Sequence, residues 1–374
     1  MKRLANDSSV VLLNVKAAPS STPEGRLTGM PLRRHRRNRG IVLLLVMLIL
    51  LVLSVVMLQL AFSAEVTMRA ASNLNRDLTN QATLRSGLQI ARLMIKADIE
   101  GDLAEAPTPP LDHLGESLMQ DIAPFAMNPG TDPTSLYLKI EDEEGKFYLP
   151  ALVDANGVVV PDEKDRLARM LEYAAIGDVD TADRIAAAMD KEDKNTFDKE
   201  VPNRKLYTLK ELLGVPGITD EHFYGKTVAT EKQYGLADVL TLYGSGKVNL
   251  NTAPKPVLMS MSTSIGVSDV DGIVNARESA DEEGNPQVFQ SVSYDELSRS
   301  GMSEETHATL SGHVTVRSSW FRARMLARTG SVQRWASAVI QRINATTKLV
   351  LWEDDLRFAP DPEELKVQEE ALTK

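Results

Sequence analysis

GSGKV, Gly244 to Val248, is the nearest this sequence comes to a phosphate-binding loop, and it falls short. Lys247 is followed by Val248 rather than Ser or Thr, and the glycine that should stand upstream is missing. The five histidines (His35, His113, His222, His307, His313) show no HExxH-type metal spacing, and there is no GxSxG elbow. With no cysteine, the chain has no thiolate nucleophile, thiolate ligand or disulfide. Nothing here assembles a nucleophile, a base and an oxyanion site. The sequence reads as non-enzymatic and requires no cofactor.

The elements that would hold any site begin with a charge asymmetry. Residues 1–40 carry nine Lys/Arg against Asp7 and Glu24, and the remainder carries 33 basic and 50 acidic residues, a net of −17. So acidic a body repels nucleic acid and anionic lipid. Between the two lies an apolar run from Ile41 to Leu58 interrupted only by Ser54 and extending to about Phe62. Some 20 apolar residues at about 1.5 Å each cover a hydrocarbon core of roughly 30 Å, so this is a single transmembrane span. Arg33, Arg34, Arg36, Arg37 and Arg39 hold its N-terminal side in the cytoplasm. The run is too long for a cleaved secretory signal. It continues as a helical pattern with Val66, Ala70, Leu74, Leu78, Leu88, Ala91, Ile95 and Ile99 near one face. One helix of about 55 residues is expected, ending near Glu100.

Beyond it, prolines mark residues 101–134 as a connector, with a short helix between Leu111 and Ile122. Ser135–Ile140 alternates, turns at EDEEGK and resumes as FYLPALV, a hairpin signal. Short helical patterns then fill 161–310, before strands return as HVTVRSS, WFRARMLAR, SVQRWASAVIQRI and TTKLVLWE. Two strands cannot bury enough surface alone, so residues 135–160 and 311–353 are expected to join in one antiparallel sheet. The helix over 41–100 covers it, and 161–310 is an inserted all-α domain. The fold class is α+β, with a basic leader at 1–40 and an acidic tail at 354–374.

The most specific soluble segment is GKVNLNTAPKPVLMSM, where Thr252 reads as an N-cap and Pro254 as an early helical residue. Its motif residues are Val248, Asn249, Asn251, Thr252, Ala253 and Pro254. The pattern resembles both the helix-hairpin-helix module of DNA-uptake proteins and the K-type minor pseudopilin of the type II secretion system. Between Ser245 and Trp320 there are five basic and ten acidic residues, and MSTSIGVS lacks the Gly-x-Gly turn. DNA contact is therefore disfavoured.

The anchor resembles that of type IV pilins and pseudopilins. In that resemblance Gly40 ends the leader, prepilin peptidase cuts after it, and Ile41 becomes the methylated first residue. A 40-residue leader is long for the family, and Met30 offers a closer start. The K-type resemblance covers nearly the whole mature chain. It implies a minor pseudopilin of the inner membrane, with its C-terminal domains in the periplasm, that starts and caps the pseudopilus. Implied partners are the I- and J-type minor pseudopilins, the major pseudopilin, the inner-membrane assembly platform and prepilin peptidase, with no nucleic acid. The alternatives are a membrane-anchored DNA-uptake receptor and a minor pilin of a type IV pilus. The family's calcium-binding acidic segment corresponds to AAAMDKEDKNTFDKE, where Asp190, Glu192, Asp193 and Asp198 supply oxygen donors but the family's Trp is missing. At mature position five, where most pilin-like subunits place Glu, stands Leu45. A tip subunit has no amine above it to neutralise. Leu45→Glu should therefore reduce secretion far less than substitution of Gly40, and equal defects would contradict the reading.

Overall fold

The computed structural model describes residues 39–105, 111–120, 125–128, 133–191, 204–228, 231–280, 287–344 and 346–354. Helix α1 (Arg39–Glu105) is 67 residues long. It outruns the expected end near Glu100, because nothing breaks it before Pro107. The chain divides into two units between Thr67 and Met68.

In the first unit the described side chains from Gly40 to Thr67 are all exposed, Leu44 at 70%. Ser54, the lone hydroxyl of the run, donates to the Leu50 carbonyl at 2.8 Å, so even this polar group is satisfied within the helix. The helix is long and apolar enough to cross a membrane.

In the second unit α1 becomes a core element. Leu84, Leu88, Ala91, Ile95 and Ile99 are buried at helical spacing, whereas Leu74 and Leu78, expected on the same face, are exposed. The strands that follow are β1 (Phe125–Asn128), β2 (Thr134–Asp142) and β3 (Phe147–Tyr148). The helical stretch holds α2 (Pro161–Ala174), α3 (Thr181–Met189), α4 (Asp220–Tyr224), α5 (Leu236–Val239), α6 (Lys255–Met259), α7 (Val267–Glu278), α8 (Tyr294–Leu297) and α9 (Glu304–Leu310). Interspersed are the short strands β4 (Lys226–Val228), β5 (Glu231–Gln233), β6 (Leu240–Thr241) and β7 (Val248–Asn249). The chain closes with β8 (Val314–Thr315), β9 (Trp320–Thr329), β10 (Val332–Ile343) and β11 (Thr346–Glu353).

The main sheet runs β1-β2-β9-β10-β11, antiparallel throughout. Strands from before and after the helical stretch meet where Leu138 faces Met325 and Ile140 faces Ala323. Alternation decides the faces: Phe321, Ala323, Met325 and Ala327 of β9 join Leu136, Leu138 and Ile140 of β2 under α1. The helical stretch has a core of its own, around Leu167, Met170, Ile185, Val257 and Ile273.

Three local expectations are corrected. Phe147–Tyr148 does not fold back on β2 as a hairpin; it pairs in parallel with β6, because Asp142–Glu144 turn inward to polar partners and carry the chain off the sheet. Residues 114–120 form turns rather than a helix. FAMN, expected within the connector, adds the edge strand β1.

Polar pins fix the register of α1 on the sheet. Buried Asn80 donates to the Val332 carbonyl at 2.9 Å and accepts from Thr329 at 2.6 Å. Arg334 forms a two-pronged pair with Asp77. Gly87 permits the close approach, since a Cβ there would lie 3.0 Å from Leu136 and 3.1 Å from the Met325 sulfur. Gly87→Leu should destabilise the head by about 1–3 kcal/mol or more through overpacking. Chemical denaturation would check this, and an unchanged midpoint would count against the packing described.

Candidate functional site

The motif Val248–Pro254 lies at the seam where the helical body meets the sheet. Val248 and Asn249 pair in parallel with Val314 and Thr315, and the Asn249 N–H donates to the Glu144 carbonyl at 2.8 Å. The fully buried Asn249 amide nitrogen reaches three acceptors: the Asp112 carbonyl at 2.9 Å, Asp142 Oδ2 at 3.0 Å and Ser318 Oγ at 2.9 Å. Its oxygen accepts the Asn251 N–H at 3.0 Å. Asn251 forms a reciprocal amide pair with the Phe289 backbone, at 3.0 and 2.9 Å. Arg277 of α7 donates to the Leu250 and Ala253 carbonyls, which holds the turn from behind.

Asp142, the last residue of β2, gathers these elements. Its Oδ2 also accepts the Thr252 and Ser318 hydroxyls, both at 2.6 Å, and its Oδ1 accepts the Glu144 N–H at 2.8 Å. A Cβ at Gly145 would sit 2.7 Å from the Thr252 hydroxyl, so only glycine lets the strand exit pass this close. Asp112 lies alongside, accepting the Ser318 N–H at 2.6 Å and the Arg342 guanidinium at 2.7 Å. Arg342 also reaches Asp98 of α1 at 3.1 Å. A continuous polar path thus joins α1, the 111–120 segment, β2, β10 and the motif.

Burial pushes both aspartates up, Asp142 to about 6 against the Ser318 and Thr252 hydroxyls, and Asp112 to about 7 against Arg342. Next to them Glu143 behaves oppositely. Burial raises it, but Arg322 and Lys146 outweigh that and hold its carboxyl well below the usual range. Asp98, Asp112 and Glu116 each bring one oxygen within 4.8 Å of the others, and Arg342 is the cation between the first two. Asp98 and Asp112 are spent on Arg342, and Glu116 Oε1 accepts the His113 N–H at 3.0 Å, so the arrangement works as a fastener.

The same segment matches known proteins. Residues 248–317 match the family model described as type II secretion system protein K. The type II secretion system protein K of Pseudomonas aeruginosa is 26% identical over 254 residues, which cover 65% of this chain and 73% of that protein. The crystal structure of the GspK–GspI–GspJ complex from the enterotoxigenic Escherichia coli type 2 secretion system contains a chain with the same fold. That match has a TM-score of 0.53 at 13% identity and covers 75% of this chain and 97% of that one. Over the motif segment this chain is similar to type II secretion system protein K. The family match starts at Val248 and stops one residue short of Ser318, so it spans both motif-side contributors to the seam.

The sequence-predicted residues separate. Val248, Asn249, Asn251, Thr252 and Ala253 come together at the seam, all buried. Thr252 is not a helix cap: α6 is capped by Pro254, and the Thr252 hydroxyl is drawn to Asp142. Gly40, Ile41 and Leu45 lie in the first turns of α1, exposed, and a Cβ on Gly40 would meet nothing within 4 Å. Arg39 opens that helix, while Arg33, Arg34, Arg36 and Arg37 lie outside the described residues. Asp190 caps the C-terminus of α3, and the next N–H, from Lys191, donates to the Gly157 carbonyl at 2.9 Å. Glu192, Asp193 and Asp198 lie outside the described residues.

Sequence reasoning missed Asp112, Asp142, Ser318 and Arg342. A signal was present: the acids of EDEE adjoin a strand that pairs with WFRARMLAR, whose arginines alternate. Asn249→Leu should destabilise the head by about 2–4 kcal/mol, because it leaves buried Asp142 and Ser318 short of a donor. A denaturation midpoint within error of wild type would overturn this account of the seam.

Proposed function

We propose that this chain is a non-enzymatic minor pseudopilin, sited at the tip of the periplasmic pseudopilus, where it helps start the filament and caps it. The observation that carries the reading is the splice itself. A helical body with its own core is set between β2 and β9 of the head and fastened by buried contacts. A subunit with this much mass fixed to its head blocks addition of another above it. The absence of an acid at Leu45 supports the same position, as nothing above needs neutralising.

In this proposal the N-terminus faces the cytoplasm, Gly40–Ile41 is the cut site of prepilin peptidase, and the head is periplasmic. The major pseudopilin and the assembly platform are further partners. The E. coli complex contains GspI and GspJ beside GspK, and we carry equivalent I- and J-type partners over to this chain. The exposed apolar residues Leu74, Leu78 and Leu93 of the stem suit helix-to-helix contact.

The DNA-receptor reading loses ground on the cations it would need. Lys255 is paired with Asp271 at 2.6 Å, Arg299 with Glu296 at 2.8 Å, and Arg277 is buried under the motif. These groups serve the fold and leave little charge for phosphate.

Because the chain has no cysteine, a single one reports cleanly. Leu78→Cys should form a disulfide or short cross-link with a cysteine at the matching stem position of an I- or J-type subunit in intact membranes. Cross-linking only between two copies of this chain, or none with either type, would contradict the assignment.

A further inference from the structure

We propose that the seam between the sheet and the helical body is a proton-linked joint. Asp142 carries a proton when the joint is closed, and losing that proton to water loosens Asn249 and Thr252 from the sheet.

The partners of the two aspartates differ in kind. Asp112 meets a guanidinium and a backbone N–H, which only donate. Two of the three groups on Asp142 Oδ2 are hydroxyls, Thr252 and Ser318, which donate or accept according to how they rotate. A protonated Asp142 can donate to the Thr252 oxygen, whose own hydrogen then turns to the Asn249 carbonyl 3.5 Å away. The joint therefore accommodates a proton on Asp142 without losing a partner, and Asp112 offers no such exchange.

The charges around the joint favour that proton. Asp98 faces it from α1, Asp112 and Glu116 from the 111–120 segment, and Asp142 and Glu144 from the end of β2. Arg342 of β10 is the nearby cation and the His113 imidazole lies beside Glu116, while Arg322 and Lys146 are committed to Glu143. β7 and the turn after it supply only the neutral Asn249 and Thr252, and the residues before β9 supply Ser318. Carboxylates outnumber cations in a buried place, so one proton relieves repulsion that the protein cannot otherwise screen.

The sign follows from burial. Asp142 is pushed up to about 6, above its ordinary 3.8, so the folded joint binds the proton more tightly than the unfolded chain. This contribution is fully present below about 4 and is lost as pH rises through about 6. Glu143, held low by Arg322 and Lys146, acts the other way, but only at acid pH.

Hydrogen exchange on the full chain in detergent tests this, with protection factors corrected for intrinsic rates at pH 5.5 and pH 8. The Asn249, Leu250 and Asn251 amides should lose protection at pH 8, about fourfold of it through Asp142, while the Leu138 and Met325 amides in the sheet stay constant. Asp112, pushed up to about 7, adds a loss of the same sign, so in Asp142→Asn, which imitates the protonated side chain, the seam amides should lose about fourfold less protection than in the wild type. Equal protection in the wild type, or a pH response in Asp142→Asn as large as that of the wild type, would overturn the proposal. Should the variant fail to fold, the wild-type comparison decides alone.

Discussion

One buried carboxyl oxygen, Oδ2 of Asp142, is hydrogen-bonded to residues 249, 252 and 318, and the placing of the helical body depends on it. A charged or protonated carboxyl taken from water must find donors or lose several kcal/mol. Here the donors come from chain more than a hundred residues away, so satisfying Asp142 fixes where the insertion leaves and re-enters the sheet. The hydrophobic cores could not do this, because each is complete on its own side of the seam. Apolar burial gives each part stability, and the polar seam gives their attachment a single geometry.

What could be read from the sequence follows the range of the interactions. The long apolar helix was legible because its constraint is local: the run from Ile41 to Leu58 is long and apolar enough to cross a membrane. The pairing of β2 with β9 was legible from the alternation of both strands and from the insufficiency of either pair alone. Thr252 and the EDEEGK segment were misread for the opposite reason. A threonine two residues before proline looks like a cap, and a run of acids ending in Gly-Lys between two strands looks like the turn of a hairpin. Only Asp142 for the threonine, and Ser318 and Arg322 for the acids, reverse those readings, and no window of ten or twenty residues contains them.

The stem shows the same division. The apolar spacing from Val66 to Ile99 correctly marked a helix, yet burial starts only near Asn80, where the sheet reaches α1. From Asp77 to Asp98 polar pins to Arg334, Val332, Thr347 and Arg342 set the helix register on the sheet. Through these contacts and the seam, α1 from Asp77 on, the sheet and the helical body are linked as one unit.

The proposed role in a pseudopilus requires that the chain is cut between Gly40 and Ile41. Mass spectrometry of the N-terminus of the protein isolated from membranes tests that most directly. The account predicts a chain beginning at Ile41 with a methylated amine. A leader still attached across Gly40–Ile41 in the mature membrane form would contradict it.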